Sequence, residues 1–188
     1  MRGQAGASAP LKQVLYTLAG AAGGALAGLL FAGAGVLAGA DARVGVTLAA
    51  VVPLVGLGLW EASGRRARLA QRDEETPQRW LHLGPVRWAV ANGASLGFAL
   101  TTRLGFPLWY VIPVLAFAAG NLWFGPALWA TYGIVRTSLA WWILAYMRNR
   151  RPDSVLDGLI RLQPRLRRLT AMLLTVDGSA LVVLAVVA

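Results

Sequence analysis

Cysteine is absent from the sequence, and His82 is the only histidine. Without cysteine the chain forms neither disulfides nor thiolate metal sites, and it cannot carry out thiol redox chemistry. A single histidine does not make a metal site. The sequence also contains no evident carboxylate pair and no set of nucleophile, base and orienting acid. We therefore expect no metal, no cofactor and no enzymatic activity.

Charged residues are scarce as well. They make up 14% of the chain, whereas 57% of the residues are hydrophobic and the mean hydropathy is +0.57. About a quarter of the residues in a typical soluble domain are charged. A small soluble protein also has too little interior to bury this much apolar surface. We therefore predict an all-α, polytopic helical membrane protein.

Five apolar stretches are candidates for crossing the bilayer. A spanning helix needs about 20 apolar residues, because the hydrocarbon core is about 30 Å thick. We treat residues 1–188 as one integral membrane domain with membrane segments at 14–40, 44–60, 85–120, 126–147 and 169–188. Two basic segments, 62–84 and 148–168, lie between them.

The stretch 85–120 leaves the number of crossings open at five or six. The sequence "TTRLGFP" (101–107) is either a turn between two helices or a break within one tilted or re-entrant segment. Positive charge near span ends tends to stay in the cytoplasm. Only five net crossings keep both basic segments there. We therefore favour five crossings of a bacterial inner membrane, with the N-terminus in the cytoplasm.

The net charge of +10 raises the alternative of nucleic-acid binding. We reject it, because the cations cluster beside apolar runs and no nucleic-acid motif is present. The segment "RPDSVLDGLIRLQPRLRRL" (151–169) is amphipathic, with Arg161, Arg165 and Arg168 on one face. This pattern is typical of a helix on the cytoplasmic leaflet whose arginines bind anionic lipid headgroups. A solvated arginine face is the alternative.

Small residues recur in two places. The sequences "AAGGALAGLLFAGAG" (21–35) and "VANGASLGFALTTRL" (90–104) match in several glycines and alanines, as an internal repeat would. Chance similarity in a glycine- and alanine-rich chain is the alternative. Gly20, Gly24 and Gly28 share one helix face, which lets another backbone approach closely. They either pack within the chain or form an interface with a partner.

Two opposite charges lie near the centres of apolar stretches. Arg136 is in the middle of 126–147, and Asp177 is in the middle of 169–188. Each costs about 2.5–3.5 kcal/mol at the centre of a membrane helix. Because a guanidinium binds a carboxylate well, we predict that the two residues pair. The pair either fixes the helix register or forms a site for an anionic substrate or a proton-coupled switch. Pairing with another subunit is the third alternative.

Thr102 and Arg103 precede the Gly105–Pro107 break. If the break lies within the membrane, they form an anion-friendly cluster with freed backbone N–H groups. If it is an external turn, Arg103 is solvated.

The stretch "NGASLGFALTTRLGFPLWYVIPVLAFAAG" (92–120), followed by "GPALWATYGIVRT" (125–137), resembles the transmembrane electron-carrier family of cytochrome c biogenesis and DsbD-type proteins. In that family a similar stretch leads to a Pro-Cys break, an apolar run and a glycine-rich helix. The paired redox cysteines of the family are absent here. The resemblance therefore implies a LysE-like transporter scaffold without thiol electron transfer.

Two functions follow from these features. The first is a transporter- or channel-like membrane protein with Arg136, Asp177, Arg103 and Thr102 near its substrate path. The second is a non-catalytic membrane subunit or scaffold, which binds a larger membrane complex through its glycine face and its basic amphipathic helix. A homo-oligomer is compatible with either.

Overall fold

The computed structural model describes residues 9–65, 82–99, 107–147 and 152–187. The regular elements in these ranges are all helical, which confirms the all-α class. In chain order they are α1 (Ala9–Ala62), α2 (Pro85–Phe98), a 3-10 turn (Pro107–Tyr110), α3 (Val111–Ala119), α4 (Phe124–Met147) and α5 (Pro152–Val187).

Helix α1 consists of two arms that meet at Gly39, where φ is 78° and ψ is 172°. Glycine adopts such a positive φ at little cost because it has no Cβ. We call residues 9–38 arm 1 and residues 40–62 arm 2. The sequence predicted a break at residues 41–43, where charge interrupts the apolar run. The structure places it at the glycine instead, and residues 41–43 are helical.

Helices α2 and α3 follow arm 1 in the same direction. Three contacts follow one another along the chain: Gly93 with Tyr16, Gly97 with Gly20, and Phe117 with Gly35. A Cβ on Gly93 or Gly97 of α2 would overlap the backbone of arm 1, so the absence of side chains allows the close approach. Helices α2 and α3 therefore both advance along arm 1 rather than running in opposite directions.

Arm 2 runs in the opposite direction to arm 1. Gly120, which ends α3, lies against Arg43 near the start of arm 2. Val111, which begins α3, lies in one apolar cluster with Leu54 near the end of arm 2. Arm 2 is therefore antiparallel to α3, and the chain reverses at Gly39.

Helix α4 runs antiparallel to arm 1, and three glycines of arm 1 face it. Gly20, Gly24 and Gly28 are buried. A Cβ on Gly24 would overlap the carbonyl of Trp129, and a Cβ on Gly28 would overlap the carbonyl of Gly125. The missing side chains let the two backbones approach closely. This glycine face is occupied within the chain.

Helix α5 is continuous through Pro164, whereas the sequence suggested a surface helix followed by a separate span. A proline removes one backbone hydrogen bond, here the one to the carbonyl of Ile160. Ile160 is exposed, so solvent or headgroups can satisfy that carbonyl. The second half of α5 packs antiparallel to arm 2, with Gly178 against Val55.

The surface of the helices is strongly apolar. Large apolar side chains such as Leu37, Val52 and Val176 are exposed at 89%, 75% and 63%. Among the described residues, one helix, Pro10–Ala62, meets the length and hydropathy of a membrane span, with a mean hydropathy of 1.9. This is coarse support for membrane association, and the expectation of five to six crossings stays a prediction. So does the internal repeat, whose second copy runs beyond residue 99, outside the described residues.

Candidate functional site

Arg136 lies in the middle of α4 and bonds to a residue of the same helix. Tyr132 precedes it by four positions, a spacing that puts two side chains on one helix face. Nη1 of Arg136 donates a hydrogen bond to Oη of Tyr132 over 2.7 Å. The guanidinium carbon lies 5.8 Å from the centre of the tyrosine ring. Both side chains are half-buried, so the tyrosine helps to solvate the charge within an apolar helix.

Asp177 reaches the same region from α5. The next residue, Gly178, is buried against arm 2, where a Cβ would lie 2.7 Å from Cγ2 of Val55. This close contact anchors α5 and leaves Asp177 half-buried beside it. Thr170 lies on the same side of α5, because seven residues make about two helical turns.

One cavity of about 510 Å³ is lined by both residues that the sequence singled out as a pair. Its walls come from the 3-10 turn, α3, α4 and α5, and we call it the central cavity. A cavity of this size lies in the range of small-molecule sites, about 300–1,000 Å³. Arg136 and Asp177 supply its charges, and hydroxyls come from Tyr132 and Thr170. Apolar side chains supply the rest of the lining: Leu108, Trp109, Val111, Ile112, Leu115, Val135 and Leu139.

A direct ion pair between Arg136 and Asp177 stays a prediction. The structure brings both residues to one cavity and gives Arg136 a hydrogen bond to Tyr132. Direct pairing of the two side chains would bring α4 and α5 close together. Over the described residues they make no extended contact, because each packs on α1 and α3 instead. Arg136 and Asp177 therefore line the cavity from two separate helices.

Tryptophan rings form the wall behind the cavity. Trp109 lines the cavity and meets Trp129 edge to face, with ring centres 5.9 Å apart. Trp129 is fully buried and stacks on Phe31 at 4.9 Å. Both indole nitrogens are buried, and neither has a hydrogen-bond partner among the described residues. An unpaired buried donor costs about 1–3 kcal/mol, so packing rather than hydrogen bonding holds this wall.

Sequence reasoning missed an ion pair at the end of arm 2 that lies away from Gly39. Glu61 is buried, and its Oε1 lies 3.2 Å from Nη2 of Arg167 on α5. The same nitrogen of Arg167 also donates to the carbonyl of Arg65. No spacing rule links residues so far apart in the chain. The apolar run that ends at Glu61 was the only available signal.

A second cavity, of about 550 Å³, lies at the end of the fold near Gly39. Arg43 lines it and donates a hydrogen bond to the carbonyl of Ala119 over 3.4 Å. Asn121, also in the lining, caps α4. Its Oδ1 accepts hydrogen bonds from the backbone N–H groups of Trp123 at 2.9 Å and Phe124 at 3.0 Å. These polar groups have structural partners, so this cavity is a weaker candidate site.

The remaining sequence candidates are distributed as follows. Thr102 and Arg103 lie outside the described residues. Arg161, Arg165 and Arg168 are exposed along the first part of α5 and do not belong to the lining of the central cavity. Within the part of the chain that the structure describes, no group of three or more His, Cys, Asp or Glu residues could hold a metal ion.

Comparison with known proteins adds no relative: no family model, curated protein or solved structure matches the chain. The resemblance to the DsbD-type family therefore stays a prediction.

Proposed function

We propose that this chain is a small polytopic protein of the bacterial inner membrane, whose central cavity is the binding site of a transporter- or channel-like path. The observation that carries the proposal is that Arg136 and Asp177 line one mostly apolar cavity. Ionisable side chains are costly inside a membrane and, where they occur, usually mark substrate or ion pathways.

The dimensions of α4 support a full crossing. Trp123, just before the helix, and Trp142, near its end, are 87% and 74% exposed. The two tryptophans are nineteen positions apart, which corresponds to about 28 Å at a rise of 1.5 Å per residue. That distance is close to the thickness of the hydrocarbon core. Exposed tryptophans at this spacing suit the two membrane interfaces.

The course of α2 and α3 supports a single broken crossing. Gly93 of α2 lies at Tyr16 of arm 1, and Phe117 of α3 lies at Gly35. Those two positions on arm 1 are also about 28 Å apart along a helix. Together with arm 1, arm 2, α4 and α5, this path makes five crossings.

The distribution of charged residues between the two ends of the fold supports an orientation with the N-terminus in the cytoplasm. Lys12, Arg65 and the exposed arginines of α5 lie at the end of the fold away from Gly39. The described charges near Gly39 are Asp41 and Arg43. The more basic end belongs in the cytoplasm, where the exposed arginines of α5 lie close to anionic lipid headgroups.

A membrane-subunit role is less well supported. It relied partly on the glycine face of Gly20, Gly24 and Gly28, and that face is filled by α4. What remains for a partner is the exposed basic part of α5, which the anionic membrane surface also accommodates.

Cysteine accessibility tests the path. The natural chain has no cysteine, so each introduced thiol is the only one. Leu108 and Ile112 line the central cavity and are half-buried, whereas Ile134 of α4 is exposed outside its lining. We expect Leu108→Cys and Ile112→Cys in membranes to react with a small charged methanethiosulfonate, and Ile134→Cys to stay unreactive. If the two cavity positions are as unreactive as Ile134→Cys, the charges form a static pair and the proposal is wrong.

A further inference from the structure

The central cavity opens sideways between α4 and α5. Val135 and Leu139 belong to its lining, yet they are 54% and 53% exposed. Val135 lies at the middle of α4 (Phe124–Met147), and Leu139 lies about one turn further on. In a crossing helix, exposed side chains at that level face hydrocarbon. Because α4 and α5 make no extended contact over the described residues, a molecule dissolved in the bilayer can reach the cavity between them.

The charges in the cavity restrict what can occupy it. Arg136 carries one positive charge and Asp177 one negative charge, and the rest of the lining is uncharged. A guanidinium binds phosphate oxygens well. An ionised carboxylate is purely an acceptor and needs N–H or O–H donors. A ligand with one phosphate and one primary ammonium leaves neither charge unpaired.

The tail of the ligand must suit the opening. The residues at the rim, Val135 and Leu139, are aliphatic, and so are Val111, Ile112 and Leu115 deeper in the cavity. Such a lining favours hydrocarbon rather than a polar substituent. It extends along α5 from Thr170 to Asp177, about 10 Å at the helical rise. This length holds a headgroup and the beginning of its acyl chains.

Building on the proposed function, we propose that the central cavity binds a zwitterionic aminophospholipid that enters from the bilayer. Its phosphate binds Arg136, its ammonium donates to Asp177, and its acyl chains leave through the opening between α4 and α5. A phospholipid with a choline headgroup has no N–H to donate to Asp177. A phospholipid with a glycerol headgroup has no cation to pair with Asp177 and leaves that carboxylate unpaired in an apolar setting.

The test is native mass spectrometry of the full-length protein in detergent. The protein is mixed with equal amounts of phosphatidylethanolamine, phosphatidylcholine and phosphatidylglycerol that have identical acyl chains. We expect ethanolamine lipid to bind about tenfold more tightly than the other two, the factor that one charge-assisted hydrogen bond provides. Soluble phosphoethanolamine should not displace it, because it lacks the chains that the opening holds.

Three variants assign the contacts. Asp177→Asn should make the ethanolamine and choline lipids bind equally, while Arg136→Gln should weaken both. Arg87→Gln removes an exposed arginine of α2 outside the cavity and should leave the preference unchanged. If the charge variants fail to fold, Leu139→Trp blocks the opening without changing charge and should abolish the preference.

Equal binding of the three lipids to the unmodified protein would overturn the lipid site, and so would an ethanolamine preference that survives Asp177→Asn. Displacement by soluble phosphoethanolamine would overturn it as well. The fourth contrary result is a lipid-free dimer, in which a second copy of the chain rather than a lipid covers the opening. None of them rejects the proposed path, because cavity cysteines can still react with the aqueous reagent. Unreactive cavity cysteines, by contrast, reject the path whatever the lipid result.

Discussion

Nη1 of Arg136 donates a hydrogen bond to Oη of Tyr132, 2.7 Å away and one turn earlier on α4. Asp177 of α5 lines the same cavity as this pair. Arg136 therefore has a hydrogen-bond partner four residues earlier on its own helix, a spacing that puts two side chains on one helix face.

Tyr132→Phe removes that acceptor and keeps the ring. Because a hydrogen bond to a charged group contributes about 1.5–3 kcal/mol, we expect a loss of that order in the free energy of unfolding, measured by denaturant titration in detergent micelles. Thr131→Val is the matched control on the same helix. Thr131 is exposed, and its hydroxyl donates to the carbonyl of Ala127 on the same helix, so this variant should change stability little. Equal losses in both variants would show that Tyr132 does not support Arg136.

The pair of charges predicts coupling between Arg136 and Asp177. Arg136→Ala and Asp177→Ala each leave one charge without its opposite in an apolar cavity, and both should reduce the folded yield. The double variant should recover part of the loss, with a coupling free energy of about 0.5–3 kcal/mol. Additive losses, measured by the same unfolding titration, would mean that the two residues act independently.

Glu61 and Arg167 predict a strong asymmetry between single and double variants. Arg167→Leu leaves a buried carboxylate without its cation and should cost about 3–5 kcal/mol. Combining it with Glu61→Leu should restore most of that stability, because no buried charge remains. Arg168→Leu, at the exposed neighbouring position, should have little effect. A loss for Arg168→Leu as large as that for Arg167→Leu would contradict a specific role of the ion pair.

Two glycines of arm 1 make a matched pair for testing the helix contact. A Cβ on Gly24 would overlap the carbonyl of Trp129, whereas a Cβ on Gly33 would meet nothing within 4 Å. We expect Gly24→Ala to lose about 1–3 kcal/mol of stability through overpacking. Gly33→Ala should gain up to about 1 kcal/mol, because alanine is the better helix former. The thermal unfolding temperatures of the two variants should therefore move in opposite directions, and a shared direction would argue against this packing.

The five-crossing topology predicts which ends of the fold are accessible from outside the cell. Ala42 and Leu122 are exposed near Gly39, and Ser63 and Asp157 are exposed at the basic end. In intact cells, an impermeant maleimide should label Ala42→Cys and Leu122→Cys. It should label Ser63→Cys and Asp157→Cys only after permeabilisation. Labelling of Asp157→Cys from outside would place the basic part of α5 in the periplasm and restore six crossings.

The predictions agree best with the structure where they depend only on amino-acid composition along the chain. Apolar residues over helical lengths predicted all-α elements, and the helices lie within or close to the predicted stretches. The centres of 126–147 and 169–188 identified Arg136 and Asp177, because a charge in an apolar run is visible without tertiary information. Element bounds were less accurate. The break in α1 depends on the backbone freedom of Gly39, which lies among many other glycines in the sequence.

The sequence by itself therefore determined the helical class, the apolar surface and the two central charges, since each depends on composition or on neighbours along the chain. Only the tertiary structure decided that α4 and α5 stand apart around a cavity, that the glycine face meets α4, and that Glu61 pairs with Arg167. The last two contacts join residues about a hundred positions apart, and all three features depend on how the helices pack. Such packing follows from the shapes of whole helix faces, which no local pattern of residues records.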